Sequence, residues 1–345
     1  MGDGTLARRR IGRTDLEVTI LGLGGAPLGD LYERIPDPRA WATVEAAWEA
    51  GIRLFDTAPL YGHGLSEHRM GEVLRSKPRD AFVLSTKIGR ILEPAEPAAI
   101  DRGQWAGGLP FRWRFDYSAD GTKRALEDSL QRLGLSRIDI VFVHDLDPWW
   151  CPTPEVFEER YRQMLEGAWP VLADLRAAGV IRAIGLGVNA VAPCVRLAQD
   201  ADPDLFLLAG RYTLLEQGGL DDLLPLARRK GFSILLGGPF NSGILATGAV
   251  PGARYDYKPA PPAILERVRG IERVCARHGV PLKAAAIQFP LGLAEVAAIV
   301  PGAVRPEEVV ENRALIGHPI PAGFWDELEA LGLLAPGCPR PPGPA

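Results

Sequence analysis

Eight short apolar runs punctuate the chain, at 18–24, 52–57, 81–87, 138–144, 181–188, 204–210, 232–238 and 296–302. They are continuous in Val, Ile and Leu rather than alternating, which suits parallel strands covered on both faces. Segments with helical periodicity follow them, at 38–50, 66–76, 120–133, 157–178, 190–200, 219–230, 262–278 and 306–316. Eight strand–helix repeats predict an α/β fold, a (β/α)8 TIM barrel. A doubly wound sheet competes, but its first strand–helix turn would want GxGxxG. GLGGAPLG (22–29) offers only GxGG, with no helix directly behind it. The stretch 11–18 is expected to form a hairpin closing the barrel floor, with Arg13-Thr14-Asp15 as its turn. Segments 281–291 and 322–334 read as extra helices near the C-terminus. The expected organisation is a single barrel over 11–335 with an insert or lid at 88–119. The Pro- and Gly-rich 336–345 is expected to be a flexible tail.

With 47% hydrophobic residues the chain has material for a large core, and its net charge of −4 gives no reason to expect a nucleic-acid partner. The basic run Arg8-Arg9-Arg10 reads as a solvated arm. Cys151, Cys194, Cys275 and Cys338 are far apart with no CxxC, which argues against a zinc site or a disulfide scaffold and fits a reducing, cytoplasmic setting. No run reaches transmembrane length, and no signal-peptide core stands at the N-terminus.

Three apolar runs end on polar groups: Asp56, Lys87 and His144. Tyr61 follows Asp56 by five residues. Strand C-terminal ends converge on one face of such a barrel, and chemistry sits there. Taken alone, each residue has an ordinary structural use as a cap, a surface lysine or a core aromatic. Taken together they form a proton-handling set. A phenol has a pKa of about 10, and a nearby ammonium would lower it. Asp56 would hold Lys87, and His144 would bond the substrate oxygen, leaving Tyr61 as acid/base. No metal-ligand cluster accompanies them, so the electrons go to an organic carrier, which a nicotinamide satisfies.

Segment 88–119 is unusually long for a connection and carries Trp105, Phe111, Trp113, Phe115 and Tyr117 among Arg112 and Arg114. Packing on its own barrel and serving as a lid whose aromatics contact substrate are both open to it.

These residues resemble the aldo-keto reductase superfamily: FDTAPLYGHGLSEHRMGEVL (55–74) with Asp56 and Tyr61, STK (85–87) and VHD (143–145) fall in the family's order. GRYTLLEQ (210–217), GGPFNSGIL (237–245) and PFRWRFDYS (110–118) are similar to the branch of D-threo-aldose (L-fucose) 1-dehydrogenases and pyridoxal 4-dehydrogenases. The resemblance implies a (β/α)8 barrel that binds NAD(P) without a Rossmann motif. It also implies oxidation of a cyclic hemiacetal, a sugar or an aldehyde, to a lactone. A general aldehyde or ketone reductase and a cofactor-binding regulatory subunit are the alternatives it leaves. It places Asn189 at the carboxamide, and Gly238, Pro239, Phe240, Ser242 and Gly243 at the pyrophosphate. Arg305, Glu308, Glu311 and Asn312 fall at the adenosine end. Trp113, Arg112 and Tyr212 are candidate substrate contacts. Gly237 stands where the family has a nicotinamide-stacking tyrosine and Ala209 where it has glutamine; Tyr212 or Phe240 is expected to compensate. Gly302 and Glu308 replace basic residues of NADP-dependent relatives, so NAD is favoured, with Arg305 keeping NADP open.

Overall fold

The computed structural model describes residues 5–341. Eight strands form one parallel sheet in strict chain order: Leu23–Gly24, Leu54–Asp56, Val83–Ile88, Ile140–His144, Ala183–Val188, Leu205–Ala209, Ser233–Gly237 and Val296–Val300. Parallel bridges Leu21↔Ile299 and Gly24↔Gly302 join the first strand to the eighth. The sheet is thus a closed (β/α)8 barrel without a free edge. The helices Asp37–Glu49, Leu65–Leu74, Ala119–Leu133, Ala192–Asp200, Leu223–Lys230, Pro262–His278 and Pro306–Leu315 surround it, as the periodicity predicts. The helical stretch expected at 157–178 is Pro154–Gln163 and Trp169–Ala177 joined by a π-helical turn, Met164–Ala168. At that turn a side chain on Gly167 would strike the backbone of Tyr117–Ala119, so glycine lets the helix close on the end of the insert.

The twofold periodicity of a strand explains how the barrel sorts its residues. Phe55, Leu84, Val141, Val143, Phe206 and Ile234 point outward into the layer shared with the helices. Leu54, Val83, Ile140, Phe142, Leu205 and Leu235 point inward, and Ile11, Leu16 and Val18 of the N-terminal hairpin join them from below. The inward series continues upward from Leu54 to Asp56, from Val83 through Ser85 to Lys87, and from Ile140 and Phe142 to His144. The same alternation that builds a dry interior therefore delivers three polar groups to one rim.

Two expectations need correction. Arg8–Arg10 is no solvated arm: it pairs antiparallel with Glu17–Thr19. Arg9 donates to the carbonyls of Leu291, Leu293 and Val296 at 2.6–3.0 Å, because those carbonyls end a 3-10 turn and start the eighth strand and need donors. The hairpin predicted at 11–18 is real, but it starts earlier: Arg8–Arg10, ahead of that range, pairs with Glu17–Thr19 at its end. The Pro- and Gly-rich end is not loose through 341. Arg340 reaches Asp326 at 2.5 Å and Glu329 at 2.8 Å, and Cys338 packs against the core. Positions 342–345 lie outside the described residues.

Candidate active site

Asp56, Lys87 and His144 are all buried at the upper rim. The Lys87 ammonium donates to Asp56 Oδ2 at 2.7 Å and to the Thr57 carbonyl at 2.8 Å, and Ser85 Oγ donates to Asp56 Oδ1 at 2.7 Å. Space for the lysine stem comes from Gly187 on the fifth strand, where an added Cβ would lie 3.3 Å from Lys87 Cε. Tyr61 leans over this pair: Lys87 Nζ is 4.6 Å from the centre of its ring. The His144 ring stands edge-on to Tyr61 at 5.7 Å. The four expected residues thus converge on one place, with Tyr61, Lys87 and His144 walling a cavity of about 420 Å³ and Asp56 behind the lysine.

The electrostatics differ from expectation in one respect. Burial, then the Asp56 and Asp145 carboxylates, push the Tyr61 phenol well above its usual range, with Arg90 pulling the other way. The Lys87 ammonium, paired with Asp56 at 2.7 Å, does not outweigh these. Tyr61 therefore stands as a protonated phenol. His144 is held neutral by burial and by the positive charges of Arg90 and Lys87, and its Nδ1 is buried with no hydrogen-bond partner. A neutral imidazole retains one donor for a substrate oxygen.

Arg90 and Asp145 are site components that sequence reasoning missed. Arg90 is 1% exposed, 2.8 Å from Asp145, and boxed by the rings of Trp113, Phe115 and Trp150 at 4.5–4.8 Å. Burial pushes the Asp145 carboxyl up to about 6 against the pull of Arg90. Arg90 opens the insert, which is a hairpin: Arg90–Pro94 pairs with Phe111–Phe115. Trp105, between its strands, packs on Tyr61 at 5.7 Å. Trp105, Trp113, Trp149 and Trp150 all wall the cavity, beside Arg102 and Asn189.

The family's sequence pattern matches residues 20–332. The chain belongs to the aldo/keto reductase family. Pyridoxal 4-dehydrogenase of Microbacterium luteolum is 42% identical over 339 residues, covering 95% of this chain and 98% of its own length. D-threo-aldose 1-dehydrogenase of a Pseudomonas species is 40% identical over 324 residues, covering 92% and 95%. Among solved structures, a glycerol dehydrogenase from Gluconobacter oxydans superposes with a TM-score of 0.73 at 23% identity, covering 98% of each chain, and shares the fold. Aldo-keto reductases are oxidoreductases that use NAD(P)H and act on small molecules. No helix among the described residues is long and apolar enough to cross a membrane.

The remaining expected positions divide. Asn189 walls the cavity, its backbone and side-chain N–H groups both directed at the buried Asp147. The loop after the seventh strand turns through left-handed backbone at Gly238, Asn241, Ser242 and Gly243, and the Asn241 and Gly243 amides close it by donating to the Gly238 and Phe240 carbonyls. Pro239 is buried beneath that loop, and Phe240 packs on the core with Lys283 5.6 Å from its ring. At the far end, Asn312 is buried and its Oδ1 lacks a hydrogen-bond partner. Glu311 is tied to Lys283, Glu308 accepts from the Val304 amide at 2.9 Å, and Arg305 contacts Glu308 at 3.1 Å. An adenine nucleotide would find polar groups of the kind it needs at Asn189, in the 238–243 loop and at Asn312.

Two substrate candidates are corrected. Arg112 alternates with Trp113 along a strand, so it faces away from the cavity, where it is two-thirds exposed and pairs with Glu93 at 3.1 Å. Tyr212 is buried and stacks on Phe289 at 5.1 Å, so it neither touches substrate nor compensates for Gly237. Trp113 does reach the cavity.

Proposed function

We propose that this chain oxidises the carbinol carbon of a cyclic hemiacetal to a lactone, with an aldose of the D-threo (L-fucose) type as substrate. The observation that carries this is a phenol, a neutral imidazole and a lysine–aspartate pair around one cavity walled by tryptophans. The substrate hydroxyl would lie between Tyr61 and His144: His144 bonds its oxygen, and Tyr61, after losing its own proton to solvent, takes the hydroxyl proton as the hydride leaves the carbon. Asp56 holds Lys87, and Lys87 holds Tyr61 in place. A nicotinamide bound beside them supplies the hydride acceptor. Flat indole faces suit the C–H surface of a sugar, and Arg102 can donate to its hydroxyls.

Pyridoxal is the second reading, favoured by the 42% identical relative and by the same aromatic walls. Its ring-closed form presents the same reacting group, a carbon bearing a hydroxyl and a ring oxygen. An absorbance screen at 340 nm of L-fucose, other aldoses and pyridoxal decides between them. Turnover of pyridoxal alone would overturn the sugar reading.

NAD is the proposed partner. Glu308 already occupies Arg305, so a 2′-phosphate would have to break that contact and meet a carboxylate. Glu308→Arg should move the kcat/KM ratio toward NADP by about ten-fold, one charge contact's worth. A parent protein that prefers NADP would reverse the assignment and make Arg305 the selecting residue. Four unpaired cysteines are in keeping with a cytoplasmic enzyme.

A further inference from the structure

A flat aromatic cofactor ring needs an apolar wall, and the strand ends beside the cavity offer little. The inward residues closing the sixth and seventh strands are Ala209 and Gly237. Gly237 is not forced to be glycine: an added Cβ would meet nothing nearer than Leu207 Cδ1 at 3.7 Å. The space beside it is open, and a ring joins Leu207 and Ala209 in the cavity wall from elsewhere in the chain.

After the seventh strand the chain forms a small hairpin, Arg254–Tyr255 against Lys258–Pro259. At its tip Asp256 and Tyr257 both adopt left-handed backbone, φ 47° and 62°, without being glycine. Such strain persists only where the surroundings impose it. Here they do: Asp256 pairs with Arg211 at 2.6 Å, Tyr255 bonds Glu216, and the Tyr257 N–H donates to Ser242 Oγ at 2.9 Å. The result turns the Tyr257 ring into the cavity, where it shares walls with Tyr61, His144, Asn189, Leu207 and Ala209. Its hydroxyl reaches Asn189 Oδ1 at 3.4 Å, and Trp149 supports the ring edge-on at 5.8 Å. Asp147, Asn189 and Tyr257 therefore form a chain that ends on an aromatic face beside the acid/base.

We propose that Tyr257 is the wall against which the nicotinamide ring lies, brought in by the 254–259 hairpin because Gly237 and Ala209 supply none. The proposal rests on the nicotinamide reading above. The hairpin is held by the loops after two neighbouring strands, Arg211 and Glu216 from the one after the sixth and Ser242 from the one after the seventh.

The test is calorimetric titration of the full-length protein with NADH and NADPH, without substrate. The parent should bind at least one. Tyr257→Ala should weaken that binding about ten-fold, the size of a lost base–aromatic contact. Tyr257→Phe keeps the ring and loses only the Asn189 contact, so it should bind within about three-fold of the parent, well inside the stacking effect. Both variants should melt near the parental temperature. Parental affinity in a folded Tyr257→Ala overturns the proposal alone. Equal weakening in Phe and Ala also overturns it, by assigning the effect to the hydroxyl. A parent that binds neither cofactor overturns the nicotinamide reading, and this proposal with it. If Tyr257→Ala does not fold, the comparison moves to Tyr257→Leu, which keeps bulk without a ring and should weaken binding as Ala would; parental affinity there overturns the proposal.

Discussion

The two ends of the barrel hold similar residues in opposite states. At the floor, Asp139 and Asp204 are buried carboxylates, and each accepts from a strand amide: Leu84 N–H at 2.8 Å and Ile184 N–H at 3.0 Å. Arginines complete them, Arg79 and Arg137 on Asp139 and Arg176 on Asp204. The floor also has the larger cleft, about 960 Å³, rich in arginine, yet Arg137, Arg176 and Arg182 there are already matched by Asp80, Asp204 and Asp15. At the upper rim, His144 Nδ1 and the Arg90 guanidinium nitrogens have no hydrogen-bond partner, although Arg90 sits 2.8 Å from Asp145. Buried polar groups are normally satisfied; Tyr212 Oη and Glu295 Oε2 also stand open elsewhere, and what sets the rim apart is that its open groups wall or back the cavity that holds Tyr61 and Lys87. Cavity size alone would have chosen the wrong end.

Substitutions at the two ends should separate activity from stability. Tyr61→Phe should lower kcat by about 10²–10⁴-fold with melting temperature and cofactor affinity nearly unchanged. A Phe variant with parental kcat would remove Tyr61 from the chemistry. Asp139→Ala should do the reverse. It strips partners from two arginines and a buried amide, so denaturant unfolding should lose about 3 kcal/mol, the low end for a broken buried pair because Arg79 and Arg137 keep water contact. Activity per folded molecule should hold, and an early loss of kcat would show that the floor is coupled to the site.

The pH dependence should sharpen the contrast. Asp145 is raised to about 6 at the rim, above an unfolded carboxyl near 3.8, so its proton is held more tightly in the folded state. Its contribution to stability is then greatest below the unfolded value and is lost as pH rises through about 6. Activity should run the other way: protonation takes the counter-charge from Arg90, so kcat/KM should fall below about pH 6. Asp145→Asn should abolish that inflection, and a variant that keeps it would place the titration elsewhere. Since Tyr61 is raised, oxidation should also climb into alkaline pH; a steady fall there in folded protein would contradict its role as base. The smallest effect is expected from the insert. Trp113→Ala should raise KM for substrate a few-fold more than for cofactor, the worth of one partly exposed aromatic contact. Equal changes, or a loss of stability alone, would make Trp113 a packing residue.

The fold was legible because period-two sorting is local: Leu54 fixes the facing of Asp56, as Val83 does for Lys87 and Ile140 for His144. The same rule could have corrected Arg112, since FRWRF (111–115) cannot turn Arg112 and Trp113 to one side. Arg90, Trp149, Trp150 and Tyr257 were not legible. They enter the site on connecting segments, and what places them is long-range: the rings around Arg90, and the ties from Arg211, Glu216 and Ser242 that hold Tyr257. Tyr61 does lie beside Lys87, as expected, but the direction of its ionisation was not legible, because burial and the Asp145 carboxylate, which raise it, come from long-range packing.

Four of the eight tryptophans, Trp105, Trp113, Trp149 and Trp150, stand around a single cavity. Half of the indole chromophores of this protein therefore stand around that cavity. Occupancy there should be readable in ordinary ultraviolet fluorescence without any label, and screening of unknown sugars or aldehydes can begin with the untreated protein in a cuvette.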